Sequence, residues 1–227
     1  MKRQLLKNLI KGLCVCLAVW VGVASCSEDD QAYDPYADWA SRNSAYFEQV
    51  ADSARRAIAE AKAQYGNEWE DHCEWRMYQS TTKSPNVAGD VTDSICVHIF
   101  GRGNGKGCPE WSDTVRVHYR GYLMPTQNMV NGELRDVRTV FSQSYYGNLN
   151  MQTAVPALMG TSSSIAGFAT ALQYMHAGDN WLVYIPTEMG YGSQEQTTIP
   201  AYSALTFHIV LVDYFKPEDE IPVWKSR

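Results

Sequence analysis

The chain has no run of lysines and arginines, no apolar stretch of about twenty residues, no CxxC pair and no internal repeat. Each absence removes a class of function. An acidic chain, with a formal net charge of −6, lacks the basic surface that drives nucleic-acid binding through phosphate neutralisation. Without residues 1–25, which hold four basic residues and no acid, 15 basic residues face 25 acidic ones, a net of −10. A bilayer-spanning helix needs about 20 apolar residues, and none is present. The cysteines and histidines of the mature region lack the spacing of a structural zinc site, and no motif asks for a cofactor. The glycine-rich stretch GRGNGKGCP at 101–109 lacks the Lys-Ser/Thr and the following helix of a phosphate loop, so it reads as a turn. The serines of GTSSS (160–164) lack a G-x-S-x-G elbow. His118, His176 and His208 fall in or beside regular elements without triad order, which argues against a hydrolase.

What is present begins at the first residues. A basic start, MKRQLLK, precedes the apolar run LCVCLAVWVGV and then Val23-Ala24-Ser25-Cys26. This is the layout of a secretory signal. VASC resembles a bacterial lipobox, which makes Cys26 the lipidated first residue of the mature protein and residues 1–25 its signal. The acidic cluster Ser27-Glu28-Asp29-Asp30 resembles the surface-export signal of Bacteroidetes lipoproteins. The expected location is therefore the outer membrane, facing the periplasm or the cell surface. Cys73, Cys96 and Cys108 then remain, which allows at most one internal disulfide among pairs the sequence does not distinguish.

With 227 residues, the chain has room for one domain and an extension. An acidic tether at 26–37 leads into a helical extension at 38–90. Within it the apolar residues Trp39, Tyr46, Phe47, Val50, Ala54 and Ile58 recur mostly at helical spacing over 38–64, and Gly66 supplies a stop. That stripe packs either on its own domain or on a second copy, in a homodimer through the extension. Strands are expected at 94–100, at 115–120, where apolar and polar residues alternate, and at 137–142, 180–186 and 204–215. One helix is expected at 163–177, with serines before it as caps and Gly178 closing it. One helix across a mostly antiparallel sheet is an α+β arrangement.

Five segments carry a resemblance over about half of the chain. VRVHYRG (115–121), VFSQS (140–144), IAGF (165–168), IPTEMGYG (185–192) and IPAYSALTFHIVLVDY (199–214) are similar, in the same order, to motifs of the FKBP-type peptidyl-prolyl cis/trans isomerases. The resemblance implies an FKBP-like antiparallel sheet wrapped on one short helix over 91–217, with a tail at 218–227. It implies a site in which Tyr119, Phe141, Ser142, Tyr191 and Phe207 are catalytic. Val155, Ile165, Phe168 and Ile199 would bind substrate, with the Ile199 N–H and the Tyr191 hydroxyl as polar contacts. Proline-containing polypeptides are the implied partners. Ser142 stands where the family has aspartate, Phe168 where it has tryptophan and Val155 where it has phenylalanine, and 125–138 reads as an insertion. A serine hydroxyl is expected to polarise Tyr191 less than a carboxylate does. The same resemblance admits two activities, prolyl isomerisation of exported proteins or peptide binding without catalysis.

Replacing Cys26 by Ala should release the protein from the membrane fraction. A variant that stays membrane-bound through a carbonate wash overturns the lipoprotein reading.

Overall fold

The computed structural model describes residues 34–83, 89–131 and 133–225; the lipobox and the acidic cluster lie outside them. Residues 35–227 form one compact unit. Helix α1 (Trp39–Tyr65) is followed by a 3-10 turn (Gly66–Glu68) and the short α2 (Trp69–His72). The strands are β1 (Trp75–Gln79), β2 (Ser94–Gly101), β3 (Thr114–Leu123), β4 (Thr126–Val130), β5 (Glu133–Val137), β6 (Val140–Gln143), β7 (Ala157–Gly160), β8 (Asn180–Ile185) and β9 (Leu205–Phe215), with α3 (Ala166–Tyr174) between β7 and β8. One antiparallel sheet has the order β1-β2-β8-β9-β3-β6. The free edge of β3 carries β7 along Thr114–Val117 and β6 along Arg120–Tyr122. The expected insertion is a separate hairpin of β4 and β5.

Alternation along the strands sends successive side chains to opposite faces. One face buries Ile95, Val97, Val115, Val117, Trp181, Val183, Ile209 and Leu211 with Phe168 and Leu172 of α3 and with Met175 just after it. α3 approaches closely because of Gly167, where a Cβ would stand 2.3 Å from Ile185 Cγ2. The other face is covered in part by α1, whose buried positions Trp39, Asn43, Phe47, Ala51, Ala54 and Ala61 form one stripe. Phe47, Ala51 and Ala54 pack with Cys96 and Ala204, against Trp75, Met77 and Tyr184. The stripe therefore lies on its own sheet. Gly66 ends the helix at φ 56°, a conformation that glycine adopts without a steric penalty.

Several sequence expectations change. β1 was not anticipated, and it takes the sheet edge beside β2 from within the segment set apart as an extension, so packing does not divide the chain at residue 90. Its Tyr78 stacks between Tyr174 and Trp181, at 4.2 and 5.8 Å between centroids, and burial pushes the phenol up to about 12. α3 is shorter than 163–177. Its N-cap is Ile165 without a side-chain cap, the serines sit in a 3-10 turn (Thr161–Ser163), and its C-cap is Met175 rather than Gly178. The strand expected at 137–142 is divided between the end of β5 and β6. Cys73, Cys96 and Cys108 are all free thiols; burial pushes Cys96 up to about 12. The tail folds back: the Arg116 guanidinium lies 4.9 Å from the Phe215 ring centre and 5.8 Å from that of Trp224, and it donates to the Pro222 carbonyl.

Two histidines sit on the face of β3 and β9 away from α3. His118 is fully buried, and neither of its ring nitrogens has a partner among the described residues. His208 meets the Tyr145 hydroxyl at 2.9 Å through Nδ1 and Asn180 Oδ1 at 2.6 Å through Nε2. Burial lowers both pKa values from 6.5, with Arg120 adding to the effect at His208. A folded-state pKa below the unfolded one means that the unfolded chain binds the proton first, so stability falls as pH drops through the unfolded value.

Two outcomes are expected. A fragment of residues 90–227 should lose the cooperative thermal unfolding that residues 35–227 show by circular dichroism, because it strips β1 and α1 from the sheet; an equally cooperative transition would place a domain boundary at residue 90 after all. The Tm should decline as pH is lowered below about 6.5, and His118→Phe should flatten that decline. An unchanged pH profile in the variant would contradict a buried neutral His118.

Candidate active site

Residues from both sides of β3 meet around one cleft of about 560 Å³. β3 supplies Tyr119, β6 supplies Phe141 and Ser142, β9 supplies Phe207, and the start of α3 supplies Ile165 and Phe168. The loop between β8 and β9 adds Tyr191 and residues 196–199. Tyr119, Phe141 and Phe207 belong to strands paired in direct register, with Gly121 opposite Ser142 on one side and Phe207 on the other. Gly121 has to be glycine here, since a Cβ would stand 2.6 Å from Phe141 and 2.8 Å from Phe207.

The rings meet edge to face, the arrangement that their quadrupoles favour. Phe207 lies 5.0 Å from Phe168 and 5.3 Å from Phe141, and Tyr119 lies 5.9 Å from Phe168. Phe168 and Phe207 are buried. None of the described residues lining the cleft is charged, and hydroxyls and amides from Tyr119, Tyr191, Ser142, Ser163, Ser164, Gln196, Thr197 and Thr198 supply its polar part. Ser164 Oγ is buried without a partner among the described residues. No histidine lines the cleft. His208 follows Phe207 on β9 and faces the other way; His176 lies 3.8 Å from Cys108 in a turn elsewhere.

Eight of the nine residues singled out in the sequence thus line one cleft. Val155 does not. It is 64% exposed, and the β7 residue that lines the cleft is Met159. Ser142 also has a different partner from the one expected. Its hydroxyl meets the Tyr119 hydroxyl at 3.1 Å, while the Tyr191 hydroxyl makes no hydrogen bond among the described residues. The Ile199 N–H is already engaged, donating to the Gln196 carbonyl at 3.2 Å within a two-residue bridge. The backbone N–H of Ile165, at the head of α3, has no acceptor among the described residues. Gln196, Thr197 and Thr198 were not anticipated; the one signal for them in the sequence is their place directly before Ile199.

Residues 105–212 match the family described as FKBP-type peptidyl-prolyl cis-trans isomerase. The macrophage infectivity potentiator of Trypanosoma cruzi is 34% identical over 138 residues, 60% of this chain and 61% of that protein. The FKBP-type 22 kDa peptidyl-prolyl cis-trans isomerase of Escherichia coli (strain K12) is 27% identical over 164 residues, 72% of this chain and 66% of that protein. The chain thus spans less than two thirds of the length of either relative. Among solved structures, FkpA from Escherichia coli aligns with a TM-score of 0.42 and 22% identity, over 92% of this chain and 81% of that chain. The FKBP motifs in 115–214, the cleft they build and the family match over 105–212 agree, and the chain therefore carries an FKBP-type peptidyl-prolyl cis-trans isomerase domain.

Proposed function

We propose that the chain catalyses cis/trans isomerisation of X–Pro bonds in exported polypeptides, from an outer-membrane lipid anchor at Cys26 that faces the periplasm or the cell surface. The observation that carries the activity is an uncharged aromatic cleft with two unengaged donors, the Tyr191 hydroxyl and the Ile165 N–H.

Rotation about a peptide bond crosses a barrier of ~18–20 kcal/mol, because resonance gives the C–N bond double-bond character. For X–Pro the isomers are close in energy but exchange only in tens to hundreds of seconds. A catalyst must favour the twisted amide over the planar one. The planar amide is the more charge-separated, and it loses most when water is replaced by rings. A proline ring seated against Phe168 and Phe207 places its preceding amide in that dry space. Twisting moves the carbonyl oxygen, and donors fixed on the head of α3 and on the loop can hold it as it turns. No nucleophile, metal or charged side chain is needed in such a step. Tyr119 acts differently: its hydroxyl is tied to Ser142, so it fixes the ring that edges onto Phe168. A second reading, peptide binding without catalysis, draws on the neutral Ser142 at a place where the family has a carboxylate.

The soluble chain beginning at Ser27 should accelerate isomerisation of X–Pro peptides. Tyr191→Phe should lower kcat/KM by roughly 5- to 150-fold, the range for a donor worth ~1–3 kcal/mol in a desolvated site. A rate no faster than the uncatalysed exchange on several X–Pro peptides ends the isomerase reading, and peptide binding without acceleration selects the second.

A further inference from the structure

The first turns of α1 reach the loop that forms one wall of the cleft. Asn43 is fully buried; its amide donates to the Trp39 carbonyl at 2.7 Å, and its Oδ1 accepts from the Ala204 N–H at 2.9 Å. Trp39, also buried, donates through Nε1 to Ser203 Oγ at 2.9 Å. That hydroxyl donates in turn to the Pro200 carbonyl at 2.6 Å, one residue from Ile199 in the cleft wall. Thus two helix side chains, about 160 positions away in sequence, fasten the end of the segment 199–204.

The segment needs fastening. Tyr202 has φ 60°, the left-handed region that a bulky residue enters only at a cost and keeps only when its surroundings over-determine it. Its own side chain contributes little, being 49% exposed. What holds Tyr202 is its N–H bond to the Gly192 carbonyl, 2.8 Å long and next to Tyr191, together with the α1 bonds immediately after it. Without the α1 bonds, Ala204 N–H and Trp39 Nε1 would each be a buried donor with no acceptor, and such groups are expensive to leave unpaired.

We infer that Asn43 and Trp39 are positioning residues, which hold the segment 199–204 in its cleft-forming conformation and so set substrate affinity in the Tyr191–Ile199 wall. The catalytic half of this inference rests on the isomerase reading above; the holding half does not. It also assigns α1 a role in the site that neither a covering helix nor a dimerisation arm would have.

The test uses the full chain with amide hydrogen exchange and isomerisation kinetics measured side by side. Asn43→Ala should speed exchange at Tyr202 and Ala204 by on the order of tenfold, as expected for the loss of one buried hydrogen bond, while Val117 in β3 keeps its protection. Its kcat/KM should fall by a similar factor, through a higher KM rather than a lower kcat. Trp39→Phe and Ser203→Ala, which each remove one partner of the second link, should do the same in smaller measure and serve if Asn43→Ala does not fold; Ser203→Thr keeps the hydroxyl and should restore both readouts. Ala61→Gly, on the same helix stripe but far from the loop, should change neither. If Asn43→Ala or both replacements leave the loop amides as protected as in the wild type, the holding role is wrong. If they release the loop with KM unchanged, the positioning role is wrong. An inactive wild type with a loop that Asn43→Ala still releases would sink the isomerase reading and leave the holding role standing.

Discussion

β3 and β9 run antiparallel through ten register pairs, from Thr114 against Phe215 to Leu123 against Leu205, and the cleft is a consequence of that pairing. It brings Tyr119 and Phe207 within reach of each other and puts Gly121 where two phenylalanines must pass. After the third pair the register shifts between Arg116, opposite Asp213, and Val117, opposite Leu211, so that Val212 is the extra residue. A bulge of this kind adds local twist. β3 pairs with β7 across that shift, along Thr114–Val117, and with β6 beyond it, along Arg120–Tyr122. The β6 half of β3 is the half that supplies the site.

Much of this architecture is legible in the sequence, because it rests on period-two alternation and on short motifs in order. Residues 115–120 alternate in polarity along the sequence, although Arg116 and His118 are buried on the second face as well; along 180–185 burial alternates residue by residue. β1 does not announce itself. Its five residues, WRMYQ, use both faces: Tyr78 is clasped by Tyr174 and Trp181, while Trp75 and Met77 lie under α1. The site itself is legible wherever a residue sits on a strand or at the head of α3. Val155 is misread because the segment from β6 to β7 sets the offset, and its length says nothing of which residue turns inward. The partner of Ser142 is misread for a related reason: β3 and β6 are neighbours by register, whereas Tyr191 arrives from a loop whose path depends on α1.

The cleft owes its chemistry to the charges it excludes as much as to the rings it gathers. Arg120 is next to Tyr119 on β3 but points to the other face, where it lies 4.3 Å from the ring centre of Tyr145 and donates to the carbonyls of Tyr145 and Gly147. Lys216, Glu110 and the buried Asp113 form a cluster at the far end of β3. With charge kept at those places, the described lining of the cleft offers a ligand only rings, aliphatic side chains, hydroxyls and amides.

Helix α1 comes first among the described elements and β9 last, yet the two ends depend on each other. The surface that covers Phe47 and Ala51 includes Ala204 and Tyr184, and the two strands at the middle of the sheet are β8 and β9. A ribosome delivers the sheet's rim before its centre. Until β8 and β9 emerge, β2 and β3 have no neighbour between them, and the apolar stripe of α1 has little to lie against. Contacts so distant in sequence make for slow, late folding. The cleft shares that order: its rings come from β3, β6, α3 and β9, so they meet only once the central strands are in place.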